Sequence, residues 1–172
     1  MKCFRNGEIP MIKVGFKRLT DDAVLPVRAH YSDSGFDLFA NEDVVIQPGE
    51  TEVIKTGIAV HLPEGYEAQV RPRSGVTSKT KLRVQLGTID NDYTGQIGIL
   101  VDNIERSTTM AGMNVDGSIN EDIKYKYGRY AIRKGDKLAQ LVIQELPPVH
   151  AYEIEELPTT PRGSNGFGSS GY

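Results

Sequence analysis

An all-β fold of jelly-roll type is predicted by two features of this sequence: short apolar or alternating segments recur along most of its length, and turn residues close each one. A third feature is what the sequence lacks, since no stretch carries the extended 3.6-residue periodicity of a long amphipathic helix. Alternation of period two places every second side chain on the buried face of a strand, so each segment needs a sheet partner and a neighbouring layer.

The candidate strands, in order, are Ile12 to Leu19, Phe36 to Ala40, Val44 to Ile46, Thr51 to Lys55, Ile58 to Leu62, Tyr66 to Arg71, Leu82 to Leu86, Ile97 to Val101, Tyr130 to Arg133 and Lys137 to Glu145. Pro48-Gly49, Pro63-Glu64-Gly65, Asn91-Asp92 and Lys134-Gly135-Asp136 punctuate them with residues that favour tight turns. One short helix is expected over Gly75 to Lys79, with Ser74 as its N-cap after Pro72-Arg73. Two stretches break the rhythm. The chain between Asn103 and Gly135 is far longer than the roughly 2 to 5 residues of a common hairpin loop and reads as an insertion at about residues 104–128. Leu157-Pro158-Thr159-Thr160-Pro161 stiffens the chain and ends the body, so residues 1–158 form one β domain and 159–172 a flexible C-terminal arm.

At 172 residues the chain buries a core without disulfide or metal staples. A single cysteine, Cys3, excludes an intramolecular disulfide and fits a reducing compartment. Lys2 and Arg5 are followed by Asn6, Gly7 and Glu8 where a signal peptide needs an apolar run, and no stretch approaches membrane-spanning length, so a cytoplasmic protein with no membrane partner is expected. Twenty Lys and Arg against 23 Asp and Glu give a net charge of -3 with no basic run, which argues against nucleic-acid binding. A polyphosphate ligand would then need a divalent cation to help neutralise it.

Five segments carry chemistry. Ser32-Asp33-Ser34-Gly35-Phe36-Asp37-Leu38 sets the acid Asp37 at the start of a strand, where Asp is a poor former. Arg71-Pro72-Arg73-Ser74-Gly75-Val76 joins an arginine, a hydroxyl and a helix start, the chemistry of an anion site. In Gly87-Thr88-Ile89-Asp90-Asn91-Asp92-Tyr93-Thr94-Gly95-Gln96-Ile97, Asp90 follows directly from a strand, which would hold it rigidly enough to orient a water and accept its proton. Gln140 stands in the apolar strand after Lys134-Gly135-Asp136 and must find a hydrogen-bond partner. Arg162-Gly163-Ser164-Asn165-Gly166-Phe167-Gly168-Ser169-Ser170-Gly171 places one arginine and one aromatic in a segment too glycine-rich to hold a shape alone, which suits a closing phosphate clamp with a stacking face. Each segment singly also fits a plain structural role.

In this order the five segments resemble the five motifs of the trimeric dUTPases, over about Ile12 to Tyr172. The resemblance implies a homotrimer with jelly-roll-like subunits, active sites at subunit interfaces, hydrolysis of dUTP to dUMP and pyrophosphate, and Mg2+ bound by the triphosphate. It implies that Asp90 deprotonates the water attacking the α-phosphorus and meets the sugar 3′-hydroxyl. Tyr93 would pack beneath the deoxyribose. Arg73, Ser74, Gly75 and Gln140 would contact phosphates, and Asp37 would hold a Mg2+-bound water. Backbone groups of a Val84-Gln85-Leu86 hairpin would read uracil; Val84 stands where many members carry asparagine. Arg162, Gly166, Gly168, Ser169 and Ser170 would clamp the phosphates while Phe167 stacks on the base.

The same fold serves dCTP deaminases and bifunctional deaminase-dUTPases, which place a glutamate near the third motif; Thr94-Gly95-Gln96-Ile97 has none. Phage members of the family resemble this chain in carrying an extra segment between the third and fourth motifs, and some bind repressor proteins, so the insertion is either a bare surface loop or a docking element. Cys3, His30, His61 and His150 are scattered without metal-ligand spacing.

Overall fold

The computed structural model describes residues 11–106, 113–119 and 128–165. Cys3 and the arm residues Gly166, Phe167, Gly168, Ser169 and Ser170 lie outside them. The described chain is built from strands β1 (Gly15–Arg18), β2 (Phe36–Phe39), β3 (Val44–Ile46), β4 (Thr51–Lys55), β5 (Ile58–His61), β6 (Tyr66–Pro72), β7 (Leu82–Val84), β8 (Gly87–Ile89), β9 (Gly98–Asn103), β10 (Met113–Asn114), β11 (Tyr130–Ile132) and β12 (Lys137–Glu145), with one helix, α1 (Ser74–Lys79). They form four sheets in the orders β1-β5, β10-β11-β3, β2-β12-β6-β8 and β4-β9-β7. This is the all-β, jelly-roll-like architecture with a single short helix that the sequence predicts.

The sheets close on one core, in which Leu38, Ile46, Ile54, Ile58, Leu82, Ile97, Ile99, Leu138 and Leu141 are almost completely buried. Alternation explains most of it: in β9, Ile99, Val101 and Asn103 point inward while Leu100 is 40% exposed. The buried Asn103 is satisfied by donating from Nδ2 to the carbonyls of Ile46 (3.1 Å) and Gly128 (2.7 Å), which fastens the return of the insertion to the body. The phenol of Tyr130, also buried, accepts from the Lys81 amide at 2.8 Å, and burial pushes its pKa up.

One irregularity positions the site. Where β12 meets β2 the register shifts between Lys137 and Ala139: Lys137 faces Phe39, Ala139 faces Leu38 and Gln140 faces Asp37. The extra residue in this bulge lets Leu138 and Ala139 both be buried, while Lys137 and Gln140, three apart, both stand beside Asp37.

Three expectations are corrected. Ser74 is the first residue of α1 and not its N-cap; Arg73, held extended at φ -92 and ψ 134 by its place at the end of β6, takes the cap position and makes no side-chain cap bond. The predicted strand over Leu82 to Leu86 stops at Val84, and no hairpin joins it to the next strand. β7 pairs with β9, whereas β8 pairs with β6 in another sheet, so Gln85-Leu86 is a crossing between sheets. The insertion is more than a bare surface loop, because β10 pairs in parallel with β11 and Val115 is buried at 7% exposure.

Candidate active site

Asp37 gathers the first group of site residues. Its carboxylate, 13% exposed, meets Arg73 Nε at 3.0 Å through Oδ1 and Lys137 Nζ at 2.9 Å through Oδ2. Arg73 also donates from Nη1 to the Lys137 carbonyl at 3.1 Å, leaving Nη2 without a partner among the described residues. The fork is therefore held by two fixed acceptors, with one amino group left over. Gln140 donates from Nε2 to the Pro72 carbonyl at 3.0 Å, and its Oε1 lies so close to Gly35 that a Cβ there would stand 2.7 Å away. Thus Asp37, Arg73 and Gln140, taken from three separated stretches of sequence, are brought together by the β2-β12-β6 pairing.

Beside them a cavity of about 310 Å³ is lined by Arg73, Gly75, Lys79, Val115, Asp116 and Lys137 among others. The wall carries three cations, Arg73, Lys79 and Lys137, against two carboxylates, Asp116 and Asp136, an excess of one positive charge towards a phosphate-bearing ligand. Lys79 and Lys137 are the residues that sequence reasoning missed. Lys79 sits in the last turn of α1, where a cation is ordinary, and Lys137 acquires its place only through the bulge. Hydrogen bonds from the Ser118 hydroxyl and amide hold the Asp116 carboxyl below its ordinary pKa, so it stays ionised at the cavity edge.

Asp90 and Tyr93 line a different cavity, of about 220 Å³, between the end of β8 and the start of β9, with Val70, Gly87, Gln96, Gly98 and Leu100 among its walls. Asp90 is exposed, at the end of the strand as expected, and its carbonyl accepts from the Tyr93 amide at 3.2 Å in the turn. Tyr93 is 46% exposed and donates its hydroxyl to the Gln96 carbonyl at 3.0 Å. This cavity offers an apolar floor, a ring and one solvated carboxylate able to take a proton from water.

The two cavities have no lining residue in common: Asp90 and Tyr93 line one and Arg73 and Gly75 the other, while Ser74 and Gln140 are among the lining residues of neither. Val84 points into the core at 7% exposure and offers no side chain to a ligand. The Gln85 amide donates to the Leu100 carbonyl at 3.0 Å and its side chain to both oxygens of Asp102, while Leu86 is 77% exposed. Arg162 lies on the exposed arm, where Nε donates to the Asn165 carbonyl at 3.0 Å within its own turn.

No cluster of three or more His, Cys, Asp or Glu side chains fit to hold a metal occurs among the described residues. Both oxygens of Asp37 are engaged in ion pairs with Arg73 and Lys137, so Asp37 would meet a hydrated cation carried by a phosphate ligand only through a water of that ion. No helix among the described residues is long and apolar enough to cross a membrane.

Residues 21–111 match the family model described as dUTPase. The chain is 37% identical, over 94% of its own length and all of the relative's, to the deoxyuridine 5'-triphosphate nucleotidohydrolase of Clostridioides difficile. Its structure is similar to that of the Staphylococcus bacteriophage 80alpha dUTPase with dUpNHpp, at a TM-score of 0.87 and 41% identity, covering 93% of this chain and 99% of that one. It is also similar to the dUTPase of phage phi11 of S. aureus, at a TM-score of 0.80 and 39% identity, covering 86% and 99%; that protein is described with a structural Mg(II) ion and with a species-specific insert.

Proposed function

The chain belongs to the dUTPase family, and from that premise we propose that it hydrolyses dUTP to dUMP and pyrophosphate by attack of an Asp90-oriented water on the α-phosphorus. The observation that supports this reading is the one cavity lined by both Asp90 and Tyr93, where the carboxylate would take a proton and the ring would support a sugar. Asp90 orients the water and accepts its proton as the bond to the α-phosphorus forms, while the bond from the α-phosphorus to the oxygen it shares with the β-phosphate breaks and pyrophosphate leaves. Arg73, fixed by Asp37, meets the charge that builds on the phosphates, with Lys137 and Lys79 on the same wall and Gln140 opposite Asp37 in the sheet beside it. Tyr93 lies beneath the deoxyribose and leaves no room for a 2′-hydroxyl. Uracil would be read by backbone groups of the Val84 to Leu86 stretch, without help from the buried Val84 side chain.

Asp37 would hold a water of Mg2+ bound to the triphosphate, and the ion would neutralise phosphate charge and favour departure of pyrophosphate. The separation of the two cavities supports a homotrimer in which the Asp90 side comes from one subunit and the Arg73 side from another. The arm supports the same arrangement: residues 145–165 are all exposed, and Arg162 makes its bonds within its own turn. Arg162 with Gly166, Gly168, Ser169 and Ser170 would close over a site as the phosphate clamp, and Phe167 would stack on the base. The insertion is read as the docking surface for a protein partner of repressor type, a reading favoured by Ile119, 68% exposed on its described part.

Incubation with dUTP, dCTP, dTTP and UTP in the presence of Mg2+ tests reaction, base and sugar together. dUMP and pyrophosphate from dUTP alone are expected. Ammonia from dCTP would replace the reading with deamination, and comparable hydrolysis of UTP would remove the sugar assignment.

A further inference from the structure

The Tyr93 ring is placed by a built feature of the fold that its own sequence neighbourhood does not advertise. A Cβ on Gly95 would stand 2.5 Å from Tyr93 Cζ and 2.9 Å from Cε2, so the hydroxyl end of the ring occupies the space that any side chain at Gly95 would need. The φ of Gly95 lies outside the left-handed region, so glycine is required there for room and not for backbone conformation. The next residue completes the seat: the Gln96 carbonyl accepts the Tyr93 hydroxyl at 3.0 Å.

That seat is itself fastened to another loop. Gln96 Oε1 accepts from the Gly57 amide at 2.9 Å, the Ile97 amide donates to the Ile58 carbonyl at 2.8 Å, and the Thr56 hydroxyl donates to the Ile97 carbonyl at 2.7 Å. Thr56 is 1% exposed and Ile97 is 1% exposed, so these bonds lie where water does not compete. A ring seated on a fixed backbone cannot slide to make room for an added hydroxyl, and a rigid wall rejects a larger ligand far better than a mobile one.

We propose that Gly95 and Gln96 are positioning residues for substrate selection: together they seat the Tyr93 ring and thereby set the tightness of the sugar pocket. The inference rests on the sugar-side role of Tyr93 proposed above. Neither residue touches the reacting atoms. Gly95 acts by leaving space and Gln96 by its carbonyl and by the side-chain bond that pins it to Gly57.

A double-mutant cycle read as kcat/KM for dUTP and UTP tests it. Gly95→Ala is expected to lower kcat/KM for dUTP about tenfold, mainly through KM, with the oligomeric state unchanged and a lower melting temperature that Tyr93→Ala restores. In the Tyr93→Ala background the same substitution is expected to change kcat/KM by less than about twofold, because the group it displaces is gone. An equal loss in both backgrounds, or no loss in the parent, overturns the proposal. If Gly95→Ala fails to fold only while Tyr93 is present, the clash is demonstrated directly. If it fails in both, Tyr93→Phe decides through the Gln96 carbonyl: a narrowed ratio of dUTP to UTP supports the seat and an unchanged ratio overturns it. Failure of the underlying sugar reading is distinguishable, since Tyr93→Ala would then leave the dUTP to UTP ratio unchanged while the Gly95 coupling persisted.

Discussion

The Asp37 carboxylate fixes the Arg73 guanidinium, Oδ1 to Nε at 3.0 Å, and does so from a strand that lies 36 residues earlier in the chain. With Lys137 on its other oxygen, Asp37 works as an anchor for two cations on the phosphate-side wall. Asp37→Asn is therefore expected to raise KM for dUTP about tenfold, the equivalent of roughly 1.4 kcal/mol, by freeing Arg73 from one of its two acceptors. Arg73→Lys, which keeps the charge but loses the fork, is expected to cost as much, and the two together little more than either. Additive losses in steady-state kinetics would mean that Asp37 acts apart from Arg73.

Val115 ties the insertion to the body. It is 7% exposed, follows β10 and shares the cavity wall with Arg73 and Gly75. Val115→Ala is expected to lower unfolding free energy by about 2 kcal/mol in denaturant melts, and Val115→Asp by more, because a buried charge without a partner is added. Replacing residues 106–126 by a short Gly/Ser loop removes β10 and Val115 together and is expected to lower the melting temperature. An unchanged melting temperature in all three would restore the bare surface loop.

The difference between legible and illegible parts of this molecule is whether the determining contacts are local. β12 is readable because Leu138 to Ile143 is an apolar run opened by the Lys134-Gly135-Asp136 turn, and both signals lie within one segment. β10 is not, because two residues, Met113 and Asn114, carry no period and are strand only through pairing with Tyr130 and Ala131. The crossing at Gln85-Leu86 is hidden for a related reason: both flanks look like strand, and the choice of β9 for one and β6 for the other is tertiary. In the site, Asp37, Arg73, Asp90 and Gln140 stand in readable motifs, whereas Lys137 owes its position to a one-residue register shift and Gly95 to the room it leaves beside a ring.

The described part of the arm, residues 159–165, is exposed throughout, and its hydrogen bonds run within its own turn. Deleting residues 161–172 is expected to leave the melting temperature and oligomeric state unchanged and to lower kcat about a hundredfold or more, because the proposed Arg162 clamp goes with it. Cleavage after Arg162 by trypsin is expected to be fast in the free protein and slow with Mg2+ and a non-hydrolysable dUTP analogue. Equal rates in both states would show that the arm does not close on nucleotide.

Asp90 stands exposed at the end of β8, clear of the ion pairs that occupy Asp37. Asp90→Asn keeps the shape and the phosphate contacts while removing the proton acceptor. Turnover is expected to fall roughly 10²- to 10⁴-fold with the affinity for a non-hydrolysable analogue unchanged in calorimetry. A variant that retained near-parental turnover would exclude Asp90 as the base.

The central claim is that a water oriented by Asp90 attacks the α-phosphorus. Single-turnover hydrolysis of dUTP in H2(18)O, with mass analysis of both products, reads the site of attack directly. One (18)O in dUMP and none in pyrophosphate is the predicted result. Label in pyrophosphate, or the appearance of labelled orthophosphate, would contradict the account, because attack would then fall on the β- or γ-phosphorus.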